Sequence, residues 1–259
     1  MNRFTPIATL VAAILLFSAC SNGGDQASID SGIVLDPIAS EGSGNESDGA
    51  ATLNDVPTDP YVESQTRAIV TSGDLDVFTK PDGEVMTTLS ATTDFGTTRV
   101  LLVEEQVGEW AKVRLPARPN HSAGWVPVSD VSLEELELEV YIDLATKTLT
   151  VHNGEELLVH SSIAIGSDEN PTPTGTFYVT DKLETPDPGG AYGPYAFGLS
   201  GYSETLTEFA GGDGQIGIHG TNDPTSIGNA VSHGCIRLPN DIVESLATMV
   251  PLGTPVHVV

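Results

Sequence analysis

The sequence predicts a mostly β protein: a β-sandwich-like domain with one short helix, preceded by a small β-barrel-like module. Three observations carry this reading. There are 27 glycines and 17 prolines against 6% aromatic residues, the balance of a turn-rich chain rather than a helical bundle. Short alternating apolar runs recur from residue 66 onward, separated by turn signals, and only one stretch has convincing helix punctuation. With 259 residues and 39% hydrophobic residues, the chain is long enough for two modest domains and too apolar for wholesale disorder. A formal charge of −26 repels a phosphate backbone and excludes nucleic acid as a natural partner.

The first segment, MNRFTPIATLVAAILLFSAC, has a basic start, an apolar run from Pro6 to Phe17 and small residues before Cys20. It reads as an export signal over 1–19, too short to span a bilayer comfortably. Ser18-Ala19-Cys20 looks like the lipobox of bacterial lipoproteins, although Phe17 stands where leucine is usual. That resemblance implies cleavage before Cys20 and lipidation of its sulfur, hence a membrane partner through an N-terminal anchor; the alternative is an ordinary cleaved leader. Residues 20–65 are rich in Ser, Gly, Asp and Asn, without periodicity, and carry nine acidic and no basic residues. They read as a disordered acidic tether with a reach of roughly 35–40 Å.

Residues 66–134 read as the small β module. Strand-like runs at 67–70, 74–79, 83–89, 98–103, 109–115 and 124–128 are punctuated by Pro81-Asp82-Gly83 and by 116–120. The pattern DVFTKPDGEVMTTL, GEWAKVRL, GWVPVSDV resembles the bacterial Src-homology-three-like barrels found beside cell-wall enzymes. Trp110 and Trp125 suit either a ligand groove or a buried contact.

Residues 137–259 carry the chemistry. Leu138–Asp143 alternates as a strand, and 148–165 reads as a hairpin with Asn153-Gly154 in a type I′ turn. Further strands are expected at 175–180, 215–219 and 255–259. Residues 184–214, rich in Gly, Pro and Tyr, read as a long loop of the kind that forms lids. The one helix begins with Asn240 as N-cap and Asp241 in its first turn, and stops before Pro251.

If Cys20 is lipidated, Cys235 is the only thiol left and no intrachain disulfide is available. Cys235 follows two candidate partners in IHGTNDPTSIGNAVSHGCIRLPN. His233 is two residues away and would point the same way in an extended segment; His219 needs the chain to turn back. An imidazole that accepts the thiol proton makes a nucleophile. Gly234 permits a tight backbone just before it, so that the N–H groups of Gly234 and Cys235 face a developing oxyanion. Arg237 is the sole arginine of a segment carrying −13 and suits a carboxylate or a loop-pinning role. Residue chemistry alone leaves three readings: thiol catalysis, a small core cysteine with a buried histidine, or a three-ligand zinc site of unusual spacing.

HGTN followed by SHGCIRLPN resembles the active-site motif of the L,D-transpeptidases, the YkuD family. PTPTGTFYV, GPYAFGLSGYS and PLGTPVHVV extend the likeness over 137–259. The resemblance implies Cys235 as the acylated nucleophile, His219 as base or thiolate partner, and the Gly220 carbonyl orienting His219. It places His233, Gly234 and Cys235 at the oxyanion region, Ser232 at the small-hydroxyl position, and Arg237 in substrate binding or loop ordering. The implied substrates are peptidoglycan stem peptides, a donor tetrapeptide and an amine acceptor. Alternatives in the same setting are an L,D-carboxypeptidase and a non-enzymatic wall-binding lipoprotein. No metal and no cofactor are expected. A monomer is the default expectation.

Overall fold

The computed structural model describes residues 65–259 apart from 72, 209 and 210. The expected leader 1–19, the lipidated Cys20 and the tether up to residue 64 lie outside the described residues.

Strands β1 (Gln65–Val70), β2 (Leu75–Phe78), β3 (Val85–Leu89), β4 (Val100–Val107), β5 (Trp110–Arg114), β6 (Ala123–Pro127) and β7 (Val131–Leu136) form a seven-stranded antiparallel sheet ordered β3-β2-β6-β5-β4-β1-β7. Alternation explains them: β5 buries Ala111 and Val113 and turns Trp110, Lys112 and Arg114 outward. Strand β7 is absent from the sequence reading. Its VSLEEL buries only Val131 and Leu136, too weak a pattern to read, yet it pairs with all of β1, from Gln65↔Leu136 to Val70↔Val131.

One residue, Glu137, separates β7 from β8 (Leu138–Asp143). Then follow β9 (Thr148–Asn153), β10 (Glu156–Ser162), β11 (Ile165–Gly166), β12 (Gly175–Glu184), β13 (Tyr195–Tyr202), β14 (Gln215–His219), β15 (Ala230–Ser232), β16 (Ile236–Arg237), helix α1 (Asn240–Met249) and β17 (Pro255–Val258). Eight of these strands form a second sheet, β10-β9-β8-β17-β12-β13-β14-β16; β11 and β15 pair separately in parallel. The mostly β class with a single α-helix among the described residues is the architecture.

Three local expectations are corrected. Asn153 pairs with Glu156, so the hairpin loop is Gly154-Glu155, with positive φ (60°) at its first position only. That is the type II′ pattern, which takes glycine first, rather than I′. The expected long loop 184–214 contains an interior strand, β13, paired with both β12 and β14. Its glycines are there for close approach: a Cβ at Gly201 would sit 2.6 Å from the Phe177 ring. Finally, Asn240 is not the N-cap of α1. Pro239 holds that position without a side-chain cap bond, and the Asn240 carboxamide is directed elsewhere, as described below.

Each sheet curls round its own apolar cluster. Val140, Ile142, Leu149, Phe197, Leu199, Ile218, Ile236, Leu238 and, from α1, Val243 and Leu246 fill the second. The first contains Ala68, Leu75, Val77, Leu101, Val113 and Val126, together with Tyr178 of β12, a residue of the other sheet. Tyr178 is fully buried and its hydroxyl donates to the Arg114 carbonyl at 3.2 Å. The Arg67 guanidinium donates to the Leu252 carbonyl, Thr93 Oγ1 to buried Asp181 Oδ1, and Arg114 Nη1 to the Thr176 carbonyl. The His121 ring stacks on Phe177 at 5.2 Å. The two sheets are therefore packed into one compact unit.

Candidate active site

Two short strands position the chemistry. β14 and β16 run parallel, pairing Ile218 with Ile236 and His219 with Arg237, and the Leu238 N–H donates to the His219 carbonyl at 2.8 Å. The isoleucines are buried and fix the strand faces, so His219 and Arg237 are neighbours, with Cys235 immediately before β16.

His219 is 5% exposed, and its Nδ1 lies 2.6 Å from the Gly220 carbonyl. A carbonyl only accepts, so Nδ1 carries the proton and Nε2 keeps its lone pair. Burial pulls the imidazole down to about 4; the Gly220 bond opposes this, and the Arg237 charge reinforces it. Cys235 is half-buried, and desolvation pushes its thiol up, opposed by a backbone hydrogen bond from Gly217 and by Arg237. Burial thus favours the uncharged form of each group, the imidazole of His219 and the thiol of Cys235.

An unfolded histidine takes its proton near the ordinary 6.5, before the folded one does. Burying neutral His219 thus contributes stability above that value, and the contribution is lost as pH falls to about 4. Nitrogen-detected NMR of the imidazole is expected to show the Nδ1–H tautomer persisting at pH 5.5, with a midpoint near 4. A midpoint near 6.5 would contradict the buried neutral state.

The loop that leads into Cys235 is held by its small residues. Gly234 has φ of 109°, and a Cβ there would lie 2.8 Å from Ile216 Cδ1, so a side chain is excluded twice over. Its carbonyl accepts from Thr172 Oγ1 at 2.9 Å, and Thr172 in turn accepts from the Gly166 N–H. Buried Ser232 donates to the Cys235 carbonyl at 2.6 Å and accepts from the Gly234 N–H at 3.1 Å. Ser232 is thus a loop-ordering residue in this geometry, and the Gly234 N–H, expected to face an oxyanion, points at its hydroxyl. The segment from His233 to Cys235 is not extended, so the two side chains do not share a face on that ground. The chain bends at 233–234, leaving His233 exposed and Cys235 half-buried.

Sequence reasoning missed two contributors. The first is Asn240 as a support: its Oδ1 accepts from the Thr221 N–H at 2.8 Å, tying α1 to the HGTN loop. Gly193 and Gly220 pack against it so closely that a Cβ on either would lie 2.5 Å or less from Asn240 Oδ1. The second is Tyr192, whose ring lies 4.7 Å from that of His219 and whose hydroxyl is pushed up by desolvation and by Cys235. It stands in the loop between β12 and β13, which is closed on itself by Thr185 N–H to the Pro194 carbonyl and by Thr185 Oγ1 to the Gly193 carbonyl. The only sequence signal for Tyr192 is an aromatic set among glycines.

Arg237 is the cation common to His219, Cys235 and Tyr192. Its Nε is buried without a hydrogen-bond partner, and no ion pair among the described residues includes it. Among the described residues, no cluster of three His, Cys, Asp or Glu could hold a metal ion.

Residues 137–258 match the family model described as YkuD, the L,D-transpeptidase catalytic domain. The chain is 35% identical over 150 residues to a Bacillus subtilis protein named as an L,D-transpeptidase, YkuD, covering 56% of this chain and 83% of that protein. It is 32% identical over 183 residues to the protein so named in Bacillus licheniformis, covering 68% and 94% respectively. A solved L,D-transpeptidase from Mycobacterium smegmatis aligns with 19% identity and a TM-score of 0.42, over 76% of this chain and 100% of that one.

Proposed function

The chain belongs to the YkuD family of L,D-transpeptidases, cysteine acyltransferases of the cell wall, and we propose that Cys235 and His219 carry its chemistry. Cys235 Sγ attacks the carbonyl carbon of the L-to-D peptide bond that follows the third residue of a tetrapeptide stem. The thiol proton passes to Nε2 of His219. The carbon–nitrogen bond breaks, the proton goes to the departing amine of the terminal D-alanine, and a thioester remains on Cys235. An acceptor amine on a neighbouring stem then attacks the thioester. His219 takes its proton and returns it to the leaving sulfur, so that a crosslink forms and the enzyme is regenerated.

One observation carries this reading: the only cysteine among the described residues directly precedes β16, and the strand paired with β16, β14, ends in a buried histidine whose Nδ1–H is tied to Gly220, leaving Nε2 as the base. Because the resting pair is neutral, proton transfer accompanies attack rather than preceding it. With the Gly234 N–H held by Ser232, the Cys235 N–H is the donor we assign to the oxyanion, and His233 borders that region from the exposed side. Arg237, with an unpartnered Nε, suits a carbonyl or carboxylate of the donor stem.

The family acts outside the cytoplasm. We complete the proposal with cleavage after residue 19, a lipid on Cys20 and a tether to residue 65 that lets a catalytic domain at 137–259 and an accessory module at 66–134 search an insoluble substrate.

The test is incubation of the full chain with purified tetrapeptide muropeptides followed by mass analysis. Crosslinked dimers that have lost D-alanine are expected, and Cys235→Ala must form none. Tripeptide monomers alone would make water the acceptor and the protein a carboxypeptidase. Unchanged substrate with Cys235 demonstrably reduced would overturn the proposal.

A further inference from the structure

The connection between β5 and β6 reaches across to the strands that carry the site. Arg118 Nη1 donates to the Ser203 carbonyl, and Nη2 donates to the carbonyls of Leu206 (3.0 Å) and Asp213 (2.8 Å). Its guanidinium carbon lies 5.0 Å from the centre of the Tyr202 ring. Two residues on, Asn120 grips the same strand end with both halves of its carboxamide: Nδ2 donates to the Tyr202 carbonyl at 2.8 Å, and Oδ1 accepts from the Tyr202 N–H at 2.9 Å. The Tyr202 hydroxyl returns a bond to the Pro116 carbonyl. Gly214, at φ 80°, completes the fit, since a Cβ there would lie 2.2 Å from the Leu206 carbonyl oxygen and 3.0 Å from Arg118 Nη2.

The gripped residues lead directly to the reacting groups. Chain leaving β13 at Ser203 returns to β14 at Gly214, and the Ser203 N–H donates to the Gly214 carbonyl at 2.8 Å. The β13–β14 ladder pairs Tyr202 with Gln215, Gly198 with Gly217 and Ala196 with His219, but its register shifts between Gly198 and Tyr202. The shift leaves the Tyr202–Gln215 pair to be held by this clamp, and Gln215 is two residues from Gly217 on β14, so a displaced Tyr202 moves the start of the strand that bears Gly217 and His219. A second route runs from Thr205 Oγ1 to Asn170 Oδ1 at 3.1 Å, and the Asn170 and Pro171 carbonyls lie against Gly234.

We infer that Arg118 and Asn120 are positioning residues for the acyl transfer: the first sheet supplies a clamp that sets β14, and with it His219 and the Gly217 contact to Cys235. Three carbonyls met by one planar guanidinium is a geometry that lysine cannot reproduce. The inference rests on the assignment of Cys235 and His219.

The test uses the full chain with Arg118→Ala, Arg118→Lys and, as a control, Arg67→Ala, which loosens the same sheet contact at Leu252 without touching β13 or β14. Two quantities are read: kcat and KM for D-alanine release, and the rate of iodoacetamide alkylation at the Cys235 peptide, followed by mass. Arg118→Ala should lower kcat about tenfold to a hundredfold with a much smaller change in KM, and should alter the alkylation rate. Arg118→Lys should recover little, and Arg67→Ala should stay near the parent. If Arg118→Ala does not fold, Asn120→Ala takes its place with the same expectations. Equal losses in the Arg118 and Arg67 variants, full recovery by lysine, or an unchanged alkylation rate overturns the inference. If the parent releases no D-alanine while alkylation still responds to Arg118 and not to Arg67, the clamp stands and the catalytic assignment falls.

Discussion

Replacing His219 with asparagine lowers the rate of acylation by about 10²- to 10⁴-fold, the contribution of a positioned general base, whereas replacing His233 with alanine costs less than about tenfold. The contrast follows from the geometry. His219 is buried, neutral and fixed in one tautomer by the Gly220 carbonyl; His233 is exposed on the bend before the nucleophile. Single-turnover release of D-alanine from a tetrapeptide stem, with circular dichroism to confirm folding, measures it. Equal losses at the two positions would show that the wrong imidazole has been assigned.

Tyr178→Ala is the largest expected change in stability, about 3–5 kcal/mol, the usual range for removing a buried aromatic ring. Tyr178 belongs to β12 of the eight-stranded sheet, yet packs with Ala68, Leu101 and Val113 of the seven-stranded one. Tyr178→Phe keeps the ring and leaves the Arg114 carbonyl without its hydroxyl donor, at about 1–3 kcal/mol. Urea unfolding monitored at Trp110 and Trp125, both in the first sheet, should move together with signals from the second, since the ring serves both cores. Separate transitions, with the alanine variant shifting neither by more than about 1 kcal/mol, would mean that the shared core contributes little to either sheet.

The shared ring also explains what the sequence could and could not reveal. Strands with strict alternation, such as β5 and β9, were legible because one buried face imposes a period of two. Strand β13 was not: YAFGLSGY carries glycines that read as loop, and their purpose, close approach to β12, exists only once β12 lies beside them. Asn240 reads as a helix cap from its place before an apolar run, but the backbone N–H it accepts from belongs to Thr221, nineteen residues away. Propensity is local; the competing partner is not.

By itself the sequence determined the mostly β class, the acidity spread along the chain, the candidate nucleophile Cys235 and, through the HGTN and SHGCIRLPN motifs, the family. Those properties reside in residue identity and short spacing. Only the tertiary structure decided that the His219 proton sits on Nδ1, that the Gly234 N–H is held by Ser232, and that Arg118 grips the strand leading to the site. Each depends on which backbone carbonyl or hydroxyl lies within about 3 Å of a given nitrogen. That distance is set by the register of strands far apart in the chain, and no local pattern of side chains encodes it.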